Sequence, residues 1–542
     1  MSQHPQGTRL ADTVGPMLQT PVIRQVGALP LLYPILEDLG LRAEVNALRP
    51  SKATLDLGRM ALLLSLNRLM APRPMYKVGD WAETTTIPSF LALPVAQLYD
   101  RRLERSMTAL HPIIGEVWGR LVVRAVSQES IDLSTLHWDT TTFYFEGEYS
   151  DSDLARYGHG SDHRSDAKRV KLGLSVTHRQ QLPVLYRILA GNTDDRTTAV
   201  PHLRALVAFL ARPELATLGV RPLIVSDCKM VTPEAVLACH KYQLDYLGPL
   251  ASDNTVKAVM GSVPDEELAA HELSYRPQRQ PAKDQPFTPY RGVWRPFTFS
   301  SGGQSVVDRA LIVWSAGKER LDQQKRKTYL KRLLDGLDSI RRQLNTGPYQ
   351  KRDYAVEQVA RVRRGNPAKP LVDVALTGED GALHLAFRLN RERLAAAQRL
   401  DGKYALATSA SQLSAHEALA YFKGQDRVEK SIAVVKGPLR VRPMFLHSDE
   451  CIEVLVFFNL IALLVRAILA VRLKRTGLTD SVDQVLLEFA ALSAVDQPFS
   501  DGSHVSQLGT VSAFQQAVLT GLHLSAVSRY IQADRSVGCG AA

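Results

Sequence analysis

The stretch Leu136–Phe143, LHWDTTTF, constrains this chain most. Its β-branched and aromatic residues predict a strand. Trp138, Thr140 and Thr142 fall on one face, and His137, Asp139, Thr141 and Phe143 on the other. A carboxylate inside so apolar a strand is costly unless it is paired or holds a cation. Asp139 is therefore the first candidate ligand of a two-metal nuclease site, with His137 expected to pack rather than to ligate. An ordinary edge-strand aspartate is the plainer alternative.

A chain of 542 residues exceeds one simple core and predicts roughly three domains. The net charge of +11 and pI of about 9.4 favour an anionic partner. From Lys318 to Arg364 there are 14 Lys/Arg against 6 Asp/Glu, most of the excess. Such a run is often a solvated face; its length makes contact with a DNA backbone the competing expectation, with Arg341 and Arg342 in its midst. Cys228, Cys239, Cys451 and Cys539 are scattered, without a CxxC pair. That argues against structural zinc or a disulfide framework and suits a reducing, bacterial cytoplasm, at the nucleoid if DNA is the partner. The N-terminus lacks the apolar run of a secretory signal. Val454–Val471 is apolar enough for a membrane but contains Asn459 and Arg466, so a buried core helix is expected over a span. Walker and dinucleotide glycine motifs are absent, which excludes the common nucleotide-using classes.

Residues 1–128 predict a helical N-terminal domain able to bind DNA ends or merely to cap the core. One amphipathic helix is expected over 35–48, another over 55–70 capped by Ser51, and continuous periodicity over 98–126. Strands follow at 133–145, 169–177 and 182–189, the last two turning at Gln180-Gln181, as an antiparallel meander. Asn192 or Thr193 caps the next helix, to about 211. Leu223-Ile224-Val225 reads as a buried parallel strand ending in Ser226-Asp227, before a helix from Pro233 and a strand near Tyr246. The order β-β-β-α-β-α-β predicts an α/β (α+β) fold with a ribonuclease H-like core of five mixed strands. In that core Asp139 and Asp227 sit on neighbouring strands.

The core is expected over 129–250 and 404–475, interrupted by a basic α+β insertion domain over 251–403, with a helical C-terminal region over 476–542 ending in a Gly-rich tail. Within the insertion, 276–295 reads as a loop, 306–314 as a strand, 319–344 as a long basic helix, and 371–376 with 383–387 as a hairpin. Ser414 and Glu417 form a capping-box pair, and helical periodicity continues through Lys423 to Val435. On it Phe422, Gln425, Glu429 and Lys436 share one face, with Glu429 and Lys436 ~10 Å apart along the axis. Glu429 is the candidate third carboxylate, with Glu417, Asp426, Asp449, Glu450 and Glu453 as rivals. His159 and His163, with Asp162 and Asp166, form a weaker candidate metal cluster.

His137-Trp138-Asp139-Thr140-Thr141 resembles the first-aspartate motif of IS4-type DDE transposases, in particular their IS1634-like group. Tyr157-Gly158-His159 to Lys168, Gly191-Asn192-Thr193 and Val225-Ser226-Asp227 are similar to segments that follow it there. Tyr421 to Glu429, then Lys436-Gly437-Pro438, looks like the final-glutamate helix. The likeness runs over roughly residues 30–475. The wider pattern, Tyr-x2-Arg-x3-Glu-x6-Lys, is altered to Phe422 and Gln425, which removes a charge that could hold a terminal phosphate. The resemblance implies two Mg²⁺ (or Mn²⁺) ions held by Asp139, Asp227 and Glu429. It implies double-stranded DNA, as terminal inverted repeats and target, for a homodimer. Lys436, Gln425, Lys168 and Lys171 are the DNA-contacting candidates beside Arg341 and Arg342. A DNA-binding protein that no longer cuts, and a structure-specific nuclease on the same core, are the alternatives.

Overall fold

In a computed structural model, residues 20–531 are described apart from 52, 54, 145–148, 151, 159–165, 228–229, 276–287, 440–447, 501–503 and 525–526. The chain is a mixed α/β protein of two compact units, Met1–Pro222 with Asp426–Ala542, and Leu223–Gln425.

In the first unit the N-terminal segment is helical, with more breaks than periodicity suggests. Instead of one helix over 35–48 there are two, Leu29–Asp38 and Leu41–Leu48. Gly40 divides them at φ +69°, a left-handed conformation that costs other residues more. The next helix, Leu57–Met70, is capped by Asp56 rather than Ser51: the Asp56 carboxylate accepts the Arg59 amide at 2.8 Å. The run expected over 98–126 is two helices, Asp100–Leu110 and Ile114–Gln128, separated by a tight turn at His111–Ile113 where Pro112 removes a donor.

The strands Thr135–Tyr144, Lys168–Thr177 and Pro183–Ala190 form the expected antiparallel meander, extended by Arg156–Tyr157. Asp139 pairs with Leu174. Its face continues in Val170, Leu172, Leu174 and Val176, all fully buried. The helix Asp426–Lys436 packs on this meander. On the opposite face, the Ala199–Leu210 helix places His202 against Ser175 and Trp138. Among the described residues one helix, Asp449–Arg475, is long and apolar enough to cross a membrane, and 89% of its apolar window is buried inside the protein. The Asn459 amide nitrogen donates there to the Leu455 carbonyl at 2.7 Å, and Arg466 pairs with Asp483 at 2.5 Å.

The C-terminal region departs from the all-helical expectation. Ser493–Pro498 pairs antiparallel with both Val22–Gln25 and His504–Leu508. These strands are short and polar-interrupted, and their partners lie at opposite ends of the sequence, which local periodicity does not report. The Gly-rich tail lies outside the described residues.

In the second unit Leu223–Val225 runs parallel to Asp245–Pro249, which pairs antiparallel with Lys403–Thr408. That strand joins the long hairpin Tyr290–Ser301 and Gln304–Ser315, so the sheet is mixed. Strands from both sides of the expected boundaries at 250 and 403 thus share one sheet with the intervening hairpin. Tyr290–Arg295, expected as loop, is strand in register with Gln304–Ser315, while 276–287 lies outside the described residues. The basic helix Ala316–Gln343 packs with Arg352–Arg363 and the hairpin Val372–Thr377/His384–Leu389 around Leu333, Leu337, Ile340 and Val359. Ser414 and Glu417 form the expected capping box on Ala415–Lys423. That helix ends at Gly424, and a separate one, Asp426–Lys436, follows.

Candidate active site

Asp139 is half-buried at mid-strand, and its Oδ1 accepts the Thr140 amide at 2.7 Å. Two residues earlier on the same face His137 is fully buried, with Nε2 2.7 Å from His178 Nδ1 and the two rings stacked. One nitrogen of that pair donates and the other accepts, so His137 packs as expected. Burial first, then the nearby Arg427 and Arg179, push His178 down to about 4.

These contacts orient the Glu429 helix. Its N-terminal residues Asp426 and Arg427 lie close enough to His178 to act on its charge. Its C-terminal Lys436 places Nζ over the Phe143 ring, 6.0 Å from the centroid. The helix therefore packs on the Asp139 strand with its C-terminal end at Phe143. Val428, Ser431, Ile432 and Val435 are its buried stripe. At 100° per residue, Glu429 and Lys436 stand within ~20° of each other on one flank of that stripe. Glu429 is exposed, ~10 Å back along the helix from Lys436. Asp139 lies ~13 Å from Phe143 on the same face of the strand.

Phe422 belongs to the Ala415–Lys423 helix, which ends at Gly424, and not to the Glu429 helix. Phe422 instead packs on Tyr404 within the second unit, with ring centroids 6.1 Å apart, and Gln425 is half-buried at the junction. Four of the rival carboxylates have other partners, and Glu450 is exposed in the first turn of the Asp449–Arg475 helix. Glu417 caps its own helix and Asp426 holds Lys430 at 2.7 Å. Asp449 accepts the Asp153 and Leu154 amides at 2.8 and 3.2 Å, and Glu453 meets His111 at 3.0 Å.

Asp227 belongs to the second unit. It is half-buried just beyond Leu223–Val225, where the Ser226 amide still bonds Leu247 O at 3.0 Å. Among the described residues no group of three or more His, Cys, Asp and Glu is gathered as a metal site. His159, Asp162 and His163 lie outside the described residues. The donors of the candidate set are all carboxylate oxygens, at least partly open to solvent, which fits a hard divalent cation rather than zinc.

The basic candidates divide. Lys171 is 5% exposed, and its ammonium meets Asp195 Oδ1 at 2.6 Å and the Thr193 carbonyl, an internal role. Lys168 is half-buried, donates to Tyr149 O at 2.7 Å and lies over the Tyr157 ring. Arg341 and Arg342 in the second unit are exposed, and both pair with Asp338, at 2.5 and 3.2 Å.

Sequence reasoning missed Asp195, which takes the Thr140 hydroxyl at 3.1 Å as well as Lys171 and so braces the strand from behind Asp139. The signal is present: Lys171, alternating with Val170 and Leu172, is a charge on a buried strand that requires a carboxylate. Asp194, not Asn192 or Thr193, caps the turn there, accepting the Arg196 amide at 2.9 Å.

No family model matches this chain, and no curated relative does. Among solved structures, the chain is similar to a piggyBac transposase in a synaptic complex with hairpin DNA, seen by cryo-EM. The TM-score is 0.37 and the identity 9%, over 87% of this chain and 82% of that one. A likeness at that level carries no functional argument.

Proposed function

We propose that this chain is a DNA transposase of the DDE type, built on a ribonuclease H-like core, which cuts at the terminal inverted repeats of an insertion sequence and joins the freed 3′-OH to target DNA. The carrying observation is the packing of the Asp426–Lys436 helix on the Asp139 strand. That packing carries Lys436, two turns beyond Glu429 on the helix, over Phe143 of the Asp139 strand. The motif order, Asp139, Asp227, then Glu429 with Lys436, supports the same reading.

Asp139, Asp227 and Glu429 would hold a pair of Mg²⁺ or Mn²⁺ ions, which supply charge for activating water or a 3′-OH and for the leaving oxygen. The remaining work falls to the chain. Asp139 is held by the Thr140 amide and by a strand pinned on one face by His137–His178 and on the other by Asp195 and Lys171. This rigidity fixes a carboxylate that must not swing when phosphate charge approaches. Lys436 offers an ammonium to a phosphate near the reacting one. Both steps are transfers between oxygens, so no Ser or Tyr nucleophile is required. Two such chains would bridge two element ends.

The test is Mg²⁺-dependent nicking of a duplex carrying the element's terminal repeat. Asp139→Ala and Glu429→Gln should each lose at least ~100-fold in rate. Equal nicking by wild type and Asp139→Ala would overturn the assignment. Cleavage that ignores repeat sequence would instead indicate a structure-specific nuclease, and binding without cleavage a DNA-binding protein that no longer cuts.

A further inference from the structure

The second unit carries a basic cleft that the active-site reading does not use. It lies between the helices Ala316–Gln343 and Arg352–Arg363 and has a volume of about 510 Å³. Arg332 faces it from the first helix; Arg361 comes from the second, and Arg364 from its end. Tyr329, Gln358 and Asn366 complete its polar wall, and no Asp or Glu lines it.

The cleft is built by packing. A Cβ at Gly336 would lie 2.6 Å from the Val362 side chain, so glycine there permits the close approach of the two helices. Asn366 ties the end of the second helix to the first by donating to Tyr329 O at 3.1 Å. Leu333, Leu337 and Val359 are buried beneath.

This cleft gathers three arginines in one place, whereas several other bases of the segment are held by carboxylates. Arg326 is held by Asp401 at 2.5 Å, and Arg341 and Arg342 by Asp338. Among the described residues, Arg332, Arg361 and Arg364 have no ion-pair partner. Three guanidinium groups converging without a carboxylate repel one another, an arrangement expected where an anion is to be bound. Guanidinium forks match phosphate oxygens in shape and charge.

We propose that the Arg332–Arg361–Arg364 cleft docks the sugar-phosphate backbone of duplex DNA, independent of base sequence. It rests on the proposed DNA-acting function only for the identity of the polyanion. Arg341 and Arg342 lie outside this cleft and share the Asp338 carboxylate, so they contribute less.

The test is fluorescence anisotropy of the full chain with a labelled duplex lacking any terminal repeat, in EDTA, across a salt series. Arg332→Gln/Arg361→Gln/Arg364→Gln should bind ~100-fold more weakly at low salt, and its slope of log Kd against log salt should fall by ~1 for each phosphate no longer neutralised. Lysine at the same three positions should restore most of the slope, separating an effect of charge from an effect on folding. Arg341→Gln/Arg342→Gln should weaken binding several-fold less than the triple variant. An unchanged slope in the triple glutamine variant overturns the proposal, as does an equal weakening in the Arg341/Arg342 variant. Without divalent metal the assay is blind to cleavage. Wild type that binds here but never nicks sinks the nuclease reading alone; wild type that nicks while the triple variant binds unchanged sinks the cleft alone.

Discussion

Lys436 and Phe143 meet where the Glu429 helix packs on the Asp139 strand, the ammonium 6.0 Å from the centroid of a fully buried ring. Lys436→Met preserves the stem and removes the charge. Its melting temperature should stay within ~4 °C of wild type, because a single partly solvated cation contributes little to stability. KM for a repeat-bearing duplex should rise ~10-fold. A change in melting temperature with unchanged KM would make Lys436 purely structural.

Lys171 and Asp195 form a buried pair behind the same strand. Asp195→Ala strands an ammonium in the core and should cost ~3–5 kcal/mol in urea unfolding. Adding Lys171→Met should recover most of the loss, since an apolar side chain of similar length needs no counter-charge. A double variant no more stable than the single would show that Asp195 acts through Thr140 instead.

His178 and His202 are both held neutral. Burial drives His202 down to about 3, with Arg187 adding to it, and burial with Arg427 and Arg179 drives His178 to about 4. Unfolded, each titrates near 6.5. The unfolded chain therefore binds more protons than the folded one between those values, and stability rises with pH across that window. The contribution is complete above 6.5 and is lost as pH falls toward 4 and then 3. The urea midpoint should drop from pH 7 to pH 4.5, and His178→Gln should flatten part of that dependence. An identical pH profile in the variant would assign the dependence to other groups.

Glu129 is 4% exposed and is gripped by Arg472 and Arg475 at 2.8 and 2.5 Å, which joins the end of the Ile114–Gln128 helix to the end of the buried apolar helix. Glu129→Ala should destabilise by ~3–5 kcal/mol, since two guanidinium groups lose a shared buried partner. Thermal melting that shifts by under ~2 °C would show that Asp38, the second partner of Arg472, compensates.

Sequence by itself determined the local elements whose signal is carried by neighbours in the chain. The Asp139 strand and its two faces, the meander to Ala190, the parallel strand before Asp227, the Ser414–Glu417 cap and the burial of Asp449–Arg475 all follow from side-chain period, capping chemistry and hydropathy. Only the tertiary structure decided what depends on distant partners or on single breaking residues. Gly40 cut one periodic run in two, and a second break at Gly424 put Phe422 and Glu429 on separate helices. Val22–Gln25 found its partner in Ser493–Pro498, a pairing that no local pattern encodes. In sequence Lys171 reads as a DNA contact, but the fold sets Asp195 beside it, while Arg332, Arg361 and Arg364 are brought from two helices to one cleft that no carboxylate lines. A charge in sequence is only a valence. Whether it faces solvent, a carboxylate or a phosphate is set by which segments the fold brings within a few ångströms, where electrostatic free energy is decided.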